Sequence, residues 1–252
     1  MRNEDVTRRF GLEGGDFYIT APSPCPYLAG KTERKVFSYL GGPSAPSMNA
    51  MLTRRGLRRS QNIIYVPACE SCQACVPVRI VTGDFAVTRS RRRALTRNAD
   101  LIRRIRSPRA TGEQFSVLRG YLDSRHADGG MADMTVLDYA AMVEETAVDT
   151  MIVEYLVRGE NGEERLIACA LTDRLTDGLS MVYSFFEPEE ARRSLGQFMI
   201  LDHVALAREF SLPYVYLGYW VEGSGKMDYK SNFQPLERLT ASGWVRMDRA
   251  PS

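Results

Sequence analysis

Three strand-length apolar runs crowd the stretch that begins at Met151. They are Met151–Val157, Leu166–Leu175 and Leu179–Phe186, separated by Glu160-Asn161-Gly162-Glu163 and Asp177-Gly178. Gly and Asn tolerate the positive φ angles that tight hairpins require, so three consecutive strands are expected. Apolar residues then recur at helical spacing over Leu195–Phe210. A strand follows at Tyr214–Tyr219, then a helix or loop around Lys226–Phe233 and two short strands near Leu236 and Trp244. The resulting order, β-β-β-α-β-α-β-β, is the strongest constraint the chain places on its fold.

The preceding residues are less regular. Loops rich in Pro and Gly at Ala21–Pro26 and Gly41–Pro46 enclose a strand within Glu33–Leu40. A helical pattern starts at Ser47, runs through Met48, Met51 and Leu52, and stops at Gly56. Ile63–Val66 and Val76–Val81 read as strands, Arg89 opens a helix, and Leu101–Ile105 forms a short strand. Thr111–Arg125 reads as a helix with Phe115, Leu118 and Leu122 on one face, and Val136–Val148 as another. The expected architecture is α+β, with an N-terminal cysteine-bearing α+β domain over residues 1–107 and a C-terminal domain over 108–252. No apolar run approaches the roughly 18 residues of a membrane helix. Met1–Phe10 is charged and lacks the apolar centre of a signal peptide. A cytoplasmic protein without membrane contact is expected.

A formal net charge of +2 conceals an asymmetry. Met1–His126 holds 22 Lys and Arg against 10 Asp and Glu, whereas Ala127–Ser252 holds 11 against 21. Between Arg89 and Arg109 the arginines cluster at 89, 91, 92, 93, 97, 103, 104, 106 and 109, with Asp100 the only acid. Such a cluster points to a polyanion partner; a solvated surface with chance charge segregation is the alternative.

The turn Arg193-Ser194-Leu195-Gly196-Gln197-Phe198, with Arg192 beside it, opens the C-terminal helix. Its backbone N–H groups can hold a phosphate. The C-terminal order and this turn resemble the second half of an N-acetyltransferase-like (GNAT) fold, in which a mixed sheet splays open to admit an acyl donor. Phe198 stands where that family's turn carries a small residue, and its ring is expected to crowd the pyrophosphate of coenzyme A. That leaves an RNA phosphate as the candidate anion. Strand alternation puts Tyr214, Tyr216 and Gly218 on one face, and Val215, Leu217 and Tyr219 on the other. Beyond them, Lys226 and Lys230 flank Tyr229, a pattern suited to stacking and neutralising single-stranded RNA; core aromatics with surface lysines are the alternative.

Several stretches, taken in order, carry a more specific resemblance. They are Arg58-Arg59-Ser60, Tyr65-Val66-Pro67-Ala68-Cys69, Cys75-Val76-Pro77-Val78-Arg79, Arg125-His126-Ala127-Asp128-Gly129-Gly130-Met131, Asp177-Gly178-Leu179-Ser180, Arg193-Ser194-Leu195-Gly196, and Leu217-Gly218-Tyr219-Trp220 through Tyr229-Lys230. Together they resemble the bacterial aspartate/glutamate leucyltransferases of the arginyl-tRNA–protein transferase family. That resemblance implies transfer of Leu from leucyl-tRNA to proteins beginning with Asp or Glu, marking them for N-degron proteolysis. Eukaryotic relatives transfer Arg, so arginyl transfer remains open, as do a GNAT-type acetyltransferase using acetyl-CoA and a non-enzymatic RNA-binding module.

The donor ester is already activated, so the transfer requires no cofactor. About a tenth of an α-amine with a pKa near 8 is neutral at pH 7, and alignment supplies much of the rate. Candidate groups near that amine are His126, Asp228 and Tyr229. Candidates for reading the acceptor carboxylate are Arg58, Arg59 and Arg79, because bidentate guanidinium pairing rejects neutral analogues. The tRNA acceptor stem is expected along Arg91, Arg92 and Arg93. Its end is expected near Tyr219, Trp220 and Lys226, with Arg192, Arg193, Gly196 and Lys230 completing the site. Cys69-x-x-Cys72-x-x-Cys75, with Cys25 as a fourth thiol, has spacing that fits Zn²⁺ or an iron–sulfur cluster; packed buried thiols are the alternative. Cys169 sits in an apolar strand and reads as core.

Overall fold

The computed structural model describes residues 16–125 and 131–247. Among these the N-terminal strands are β1 (Tyr18–Ile19), β2 (Ser23–Pro24), β3 (Thr32–Glu33), β4 (Lys35–Tyr39), β5 (Arg58–Ser60) and β6 (Ile63–Pro67). Helix α1 (Ala45–Arg54) precedes β5. Strands β1-β4-β6-β5 form an antiparallel sheet in that order, and β2 pairs with β3. Val36, Leu52, Leu57, Ile64 and Val66 make the core between this sheet and α1.

A larger, eight-stranded sheet runs β14-β13-β7-β12-β11-β10-β9-β8. Its members are β7 (Val76–Val81), β8 (Ile102–Arg106), β9 (Thr150–Arg158), β10 (Glu164–Arg174), β11 (Gly178–Phe186), β12 (Tyr214–Trp220), β13 (Leu236–Thr240) and β14 (Gly243–Met247). Helices α2 (Arg89–Arg97) and α5 (Leu195–Glu209) belong to one packing layer, where Phe85, Ala94, Phe198, Met199 and Val204 meet Val153, Ile167 and Val215. Helices α3 (Gly112–Arg125) and α4 (Val136–Glu144) belong to another, where Leu118, Leu122 and Tyr139 meet Ile152, Cys169 and Phe185. Cys169 is therefore a core residue, as expected.

The three-strand signal beginning at Met151 appears as the meander β9-β10-β11. The first turn closes through Gly159 N–H to Glu163 O at 2.7 Å, with Gly162 at φ +79°. The expected helix Val136–Val148 ends at Glu144; a Thr135–Asp138 capping box starts it, and Val148 packs in the small-sheet core. The expected division at 107/108 runs through the large sheet. β7 lies between β12 and β13, and β8 pairs with β9, so an N-terminal stretch completes the C-terminal sheet.

The alternation expected for β12 fails at one point. Its register against β7 shifts between Tyr216 and Gly218, a bulge at Leu217. The bulge reverses the parity of the strand's last residues. Val215, Leu217 and Trp220 share the core with α5, while Tyr219 turns toward the N-terminal layer and donates its hydroxyl to Gly56 O at 3.0 Å and Tyr65 O at 3.1 Å.

Candidate active site

β11 and β12 are the parallel neighbours of the large sheet, and their pairing covers Gly178↔Tyr214, Leu179↔Val215 and Ser180↔Tyr216. Both strands continue, to Phe186 and Trp220, so they part beyond that point. Carbonyls in such a gap need donors. Arg58 of β5 enters it: Nη2 donates to Met181 O (3.1 Å) and Val182 O (2.6 Å), and Nη1 to Leu217 O (3.0 Å). Gly218 is required here, since it holds φ +73° and a Cβ would lie 1.4 Å from Arg58 Nη1.

A short 3-10 segment, Asp228–Asn232, closes over the end of β12. From it Lys230, only 5% exposed, donates Nζ to Tyr219 O at 2.7 Å. Burial, reinforced by the positive charge of Arg58, pushes this amine well below the ordinary lysine range. Asp228 is exposed and accepts from Trp220 Nε1 at 3.2 Å. Tyr229 is 46% exposed, its hydroxyl raised chiefly by partial burial and held back by the positive charge of Arg58. Tyr121 packs edge-on against Phe186 at 5.1 Å, and Arg125 lies over the same ring at 5.2 Å. Burial raises the hydroxyls of Tyr121 and Tyr183. The sequence does not mark out either tyrosine, because each sits in an ordinary apolar pattern. His126 lies outside the described residues.

Four arginines expected to face substrate are internal. Arg59 is bidentate with Asp173, Nε to Oδ2 at 2.6 Å and Nη2 to Oδ1 at 2.7 Å, both side chains 1% exposed. Arg79 donates to Glu237 at 2.8 Å and to Tyr216 Oη at 3.2 Å, stacked between the rings of Tyr214 and Trp244. Arg91 donates to Ala86 O at 2.6 Å and Asn232 O at 2.9 Å, so it anchors the 3-10 segment rather than a phosphate. Arg58 is committed to the strand gap. All four are anchored by these bonds inside the protein rather than presented to solvent. Tyr219 and Lys230 are likewise buried, which removes the surface stacking and phosphate roles expected of them. Trp220 is buried too.

Arg92, Arg93, Arg192 and Lys226 are exposed. The end of α2 docks on the turn before α5: Arg97 donates to Arg192 O at 2.5 Å and Asn98 to Arg193 O at 2.8 Å. Gly196 stands in the first turn of α5. Arg193 is occupied by Asp100 at 2.8 Å and Glu190 at 3.0 Å. The basic helix and the turn before α5 are therefore adjacent, while Arg103, Arg104 and Arg106 pair with acids of β9, β10 and α5. The expected crowding of coenzyme A by Phe198 does not occur: the ring packs inward on Tyr155 at 5.5 Å. His203 is a neutral core residue, Nδ1–H donating to Met199 O at 2.7 Å and Nε2 2.9 Å from Thr172 Oγ1, with burial lowering its pKa.

The thiols of Cys25, Cys69, Cys72 and Cys75 line one cavity of about 730 Å³. Burial and the other three thiols push Cys75 up to about 12. Among the described residues, no three Cys, His, Asp or Glu side chains form a ready ligand group. No helix there is long and apolar enough to cross a membrane.

Two family models match the chain: the N terminus of arginine-tRNA-protein transferase over residues 23–93 and its C terminus over 113–240. The aspartate/glutamate leucyltransferase of Rhodopseudomonas palustris is 61% identical over 236 residues, covering 92% of each chain. Those of Nitrobacter hamburgensis and Bradyrhizobium diazoefficiens are 59% and 60% identical, again over 92% of each chain. Among solved structures, L-PGS from Bacillus licheniformis aligns over 90% of this chain and 79% of its own, with a TM-score of 0.45 and 11% identity.

Proposed function

The chain belongs to the arginine-tRNA-protein transferase family, and from that premise we propose that it transfers leucine from leucyl-tRNA to the N-terminal amine of proteins beginning with Asp or Glu. The identity of about 60% to leucyltransferases over nearly the whole chain carries this reading. The products are cytoplasmic N-degron substrates, marked for proteolysis.

The C-terminal sheet is read as GNAT-like because its parallel strands separate, and the donor is placed at the mouth of that separation, beside the Arg58 that bridges it. Exposed Arg92 and Arg93, beside the turn at Arg192 and Gly196, take the tRNA phosphates. The aminoacyl ester reaches the gap at Arg58, whose charge favours the oxyanion that forms when the amine attacks. The C–N bond forms, the bond to the ribose oxygen breaks, and the amine's surplus proton moves by way of Lys230 to that oxygen. Asp228 holds Trp220 at the end of β12, and Arg125 lies over Phe186 at the end of β11.

Incubation with radiolabelled leucyl-tRNA and arginyl-tRNA, and with peptides beginning Asp, Glu or Lys, tests this reading. Leucine is expected on the Asp and Glu peptides only. Labelling by arginine instead, or no labelling, overturns it. Saturating acetyl-CoA is expected to leave the melting temperature unchanged; stabilisation would favour an acetyltransferase.

Replacing both Arg92 and Arg93 with Glu is expected to raise the KM for leucyl-tRNA at least ten-fold. The salt dependence of tRNA binding should shallow by about one unit of log–log slope for each phosphate no longer neutralised. An unchanged slope would place the tRNA elsewhere.

The four cavity thiols are further proposed to hold a metal. Four half-buried thiols on one cavity supply the number and kind of ligands such a centre takes, although among the described residues they are not gathered into a ready ligand group. Zn²⁺ or an iron–sulfur cluster bound there would stiffen the loop 69–75; it is not needed for the transfer. Metal analysis of protein purified without oxygen should find Zn or Fe, and absence of both would remove this proposal.

A further inference from the structure

Because Arg58, Arg59 and Arg79 are committed to internal bonds, the acceptor's acidic side chain needs another reader, and the cysteine cavity supplies one. Its position is set by strand register. Val76 pairs with Trp220, at the end of β12 where β11 and β12 have parted, so Cys75 and its loop stand at the open end of the gap. Tyr219 belongs to both places: it is among the residues lining the cavity, and its carbonyl receives the Lys230 amine. On the far side the cavity is bounded by α1, where Arg54 O accepts from Trp244 Nε1 at 2.9 Å.

The charge of the lining is one-sided. Lys31, Arg54 and Arg55 are basic and exposed. The acid among the lining residues, Glu33, is already paired with Lys35 at 2.8 Å. Tyr27, Val66 and Val221 give the remaining wall an apolar body. Cations at the rim of a mostly apolar pocket select a small anionic group on a short chain. The volume, about 730 Å³, exceeds what a metal ion needs and suits the first residues of a peptide.

We propose that this cavity binds the N-terminal residue of the acceptor protein, with Arg54 and Lys31 pairing its Asp or Glu carboxylate and its amine directed past Tyr219 toward the strand gap. The proposal rests on the leucyltransferase reading and assigns that reaction its specificity site.

The test uses the full-length variant Arg54→Glu, combined in a second variant with Lys31→Glu. Steady-state transfer is measured with peptides beginning Asp, Asn or Lys, varying peptide and leucyl-tRNA separately. The expected result is a rise of at least about ten-fold in the KM for the Asp peptide. The kcat and the KM for leucyl-tRNA should be unchanged, and preference for Asp over Asn should fall by the same factor. An unchanged Asp-peptide KM, or a rise confined to leucyl-tRNA, overturns the proposal. Both positions are exposed, so the variants should fold, and Arg54→Gln checks the result with a smaller perturbation. Should the wild-type protein transfer no leucine, the functional reading fails by itself. Anisotropy of labelled Asp and Asn peptides without tRNA then decides the cavity: an Asp preference lost in Arg54→Glu upholds it, and equal binding by the wild type overturns it.

Discussion

Arg59→Ala is expected to lower the unfolding free energy by about 3–5 kcal/mol, the usual result of stranding one member of a buried ion pair. Asp173 would keep Thr150 Oγ1 at 2.9 Å and Asn49 Nδ2 at 3.2 Å but lose its bidentate cation, and Gln61 O would lose a donor at 2.7 Å. The loss is a large share of the roughly 5–15 kcal/mol that domains possess, or about 6–20 °C in melting temperature for a chain of this size. Asn49 belongs to α1, Arg59 to β5 and Asp173 to β10, so the cluster joins the N-terminal layer to the large sheet. Arg59→Met with Asp173→Leu removes both charges and should recover most of the stability. Folded Arg59→Ala molecules at low temperature should keep their preference for Asp over Asn peptides. Thermal and urea unfolding measure the first expectation; a change below about 1 kcal/mol would mean the pair is not the clamp.

Lys230→Met should reduce transfer at least about 100-fold, the lower range of what a positioned base supplies, and at the same time raise the melting temperature. A lysine that cannot be fully hydrated costs stability whenever it is protonated. Its folded pKa lies below the unfolded value of about 10.4. Between those two values the unfolded chain binds a proton that the folded chain does not, so unfolding free energy rises with pH across that window. The wild type should therefore gain stability as pH climbs toward about 10, and Lys230→Met should lack that gain. Lys230→Arg keeps a cation and donors but cannot accept a proton at any working pH, so it should be as inactive as Met. An active Lys230→Arg would assign the residue to charge rather than proton transfer. A destabilised Lys230→Met with normal activity would make it merely structural.

The strands from Met151 onward are legible in the sequence because alternation, turn residues and element length agree there. The same holds for α5, whose apolar residues recur at helical spacing, whereas the docking of α2 beside its first turn joins residues 95 apart and has no local signature. The candidate site is less legible. Arginine is usually exposed, so Arg58, Arg59, Arg79 and Arg91 read as ligands for a polyanion. Most of their partners lie far off in sequence, Leu217 being 159 residues from Arg58 and Glu237 158 from Arg79, and no local pattern encodes such pairings. Lys230 reads as a surface cation for the same reason. Tyr219 reads onto the wrong face because a single bulge at Leu217 inverts every later position of the strand. Gly218 in the strand interior is the available signal, since it marks a bulge as readily as a break. Interleaving of β7 between β12 and β13 also has no local signature, which is why the chain looks divisible at residue 107.

The most direct measurement of the central claim is a structure bound to a non-hydrolysable, amide-linked leucyl-adenosine analogue. Its leucyl carbonyl should lie between β11 and β12, within hydrogen-bond reach of Arg58 and beside Lys230, with the adenosine on the side of the Arg92 and Arg192 surface. Density for the leucyl group anywhere else, with the strand gap still closed around Arg58, would contradict it.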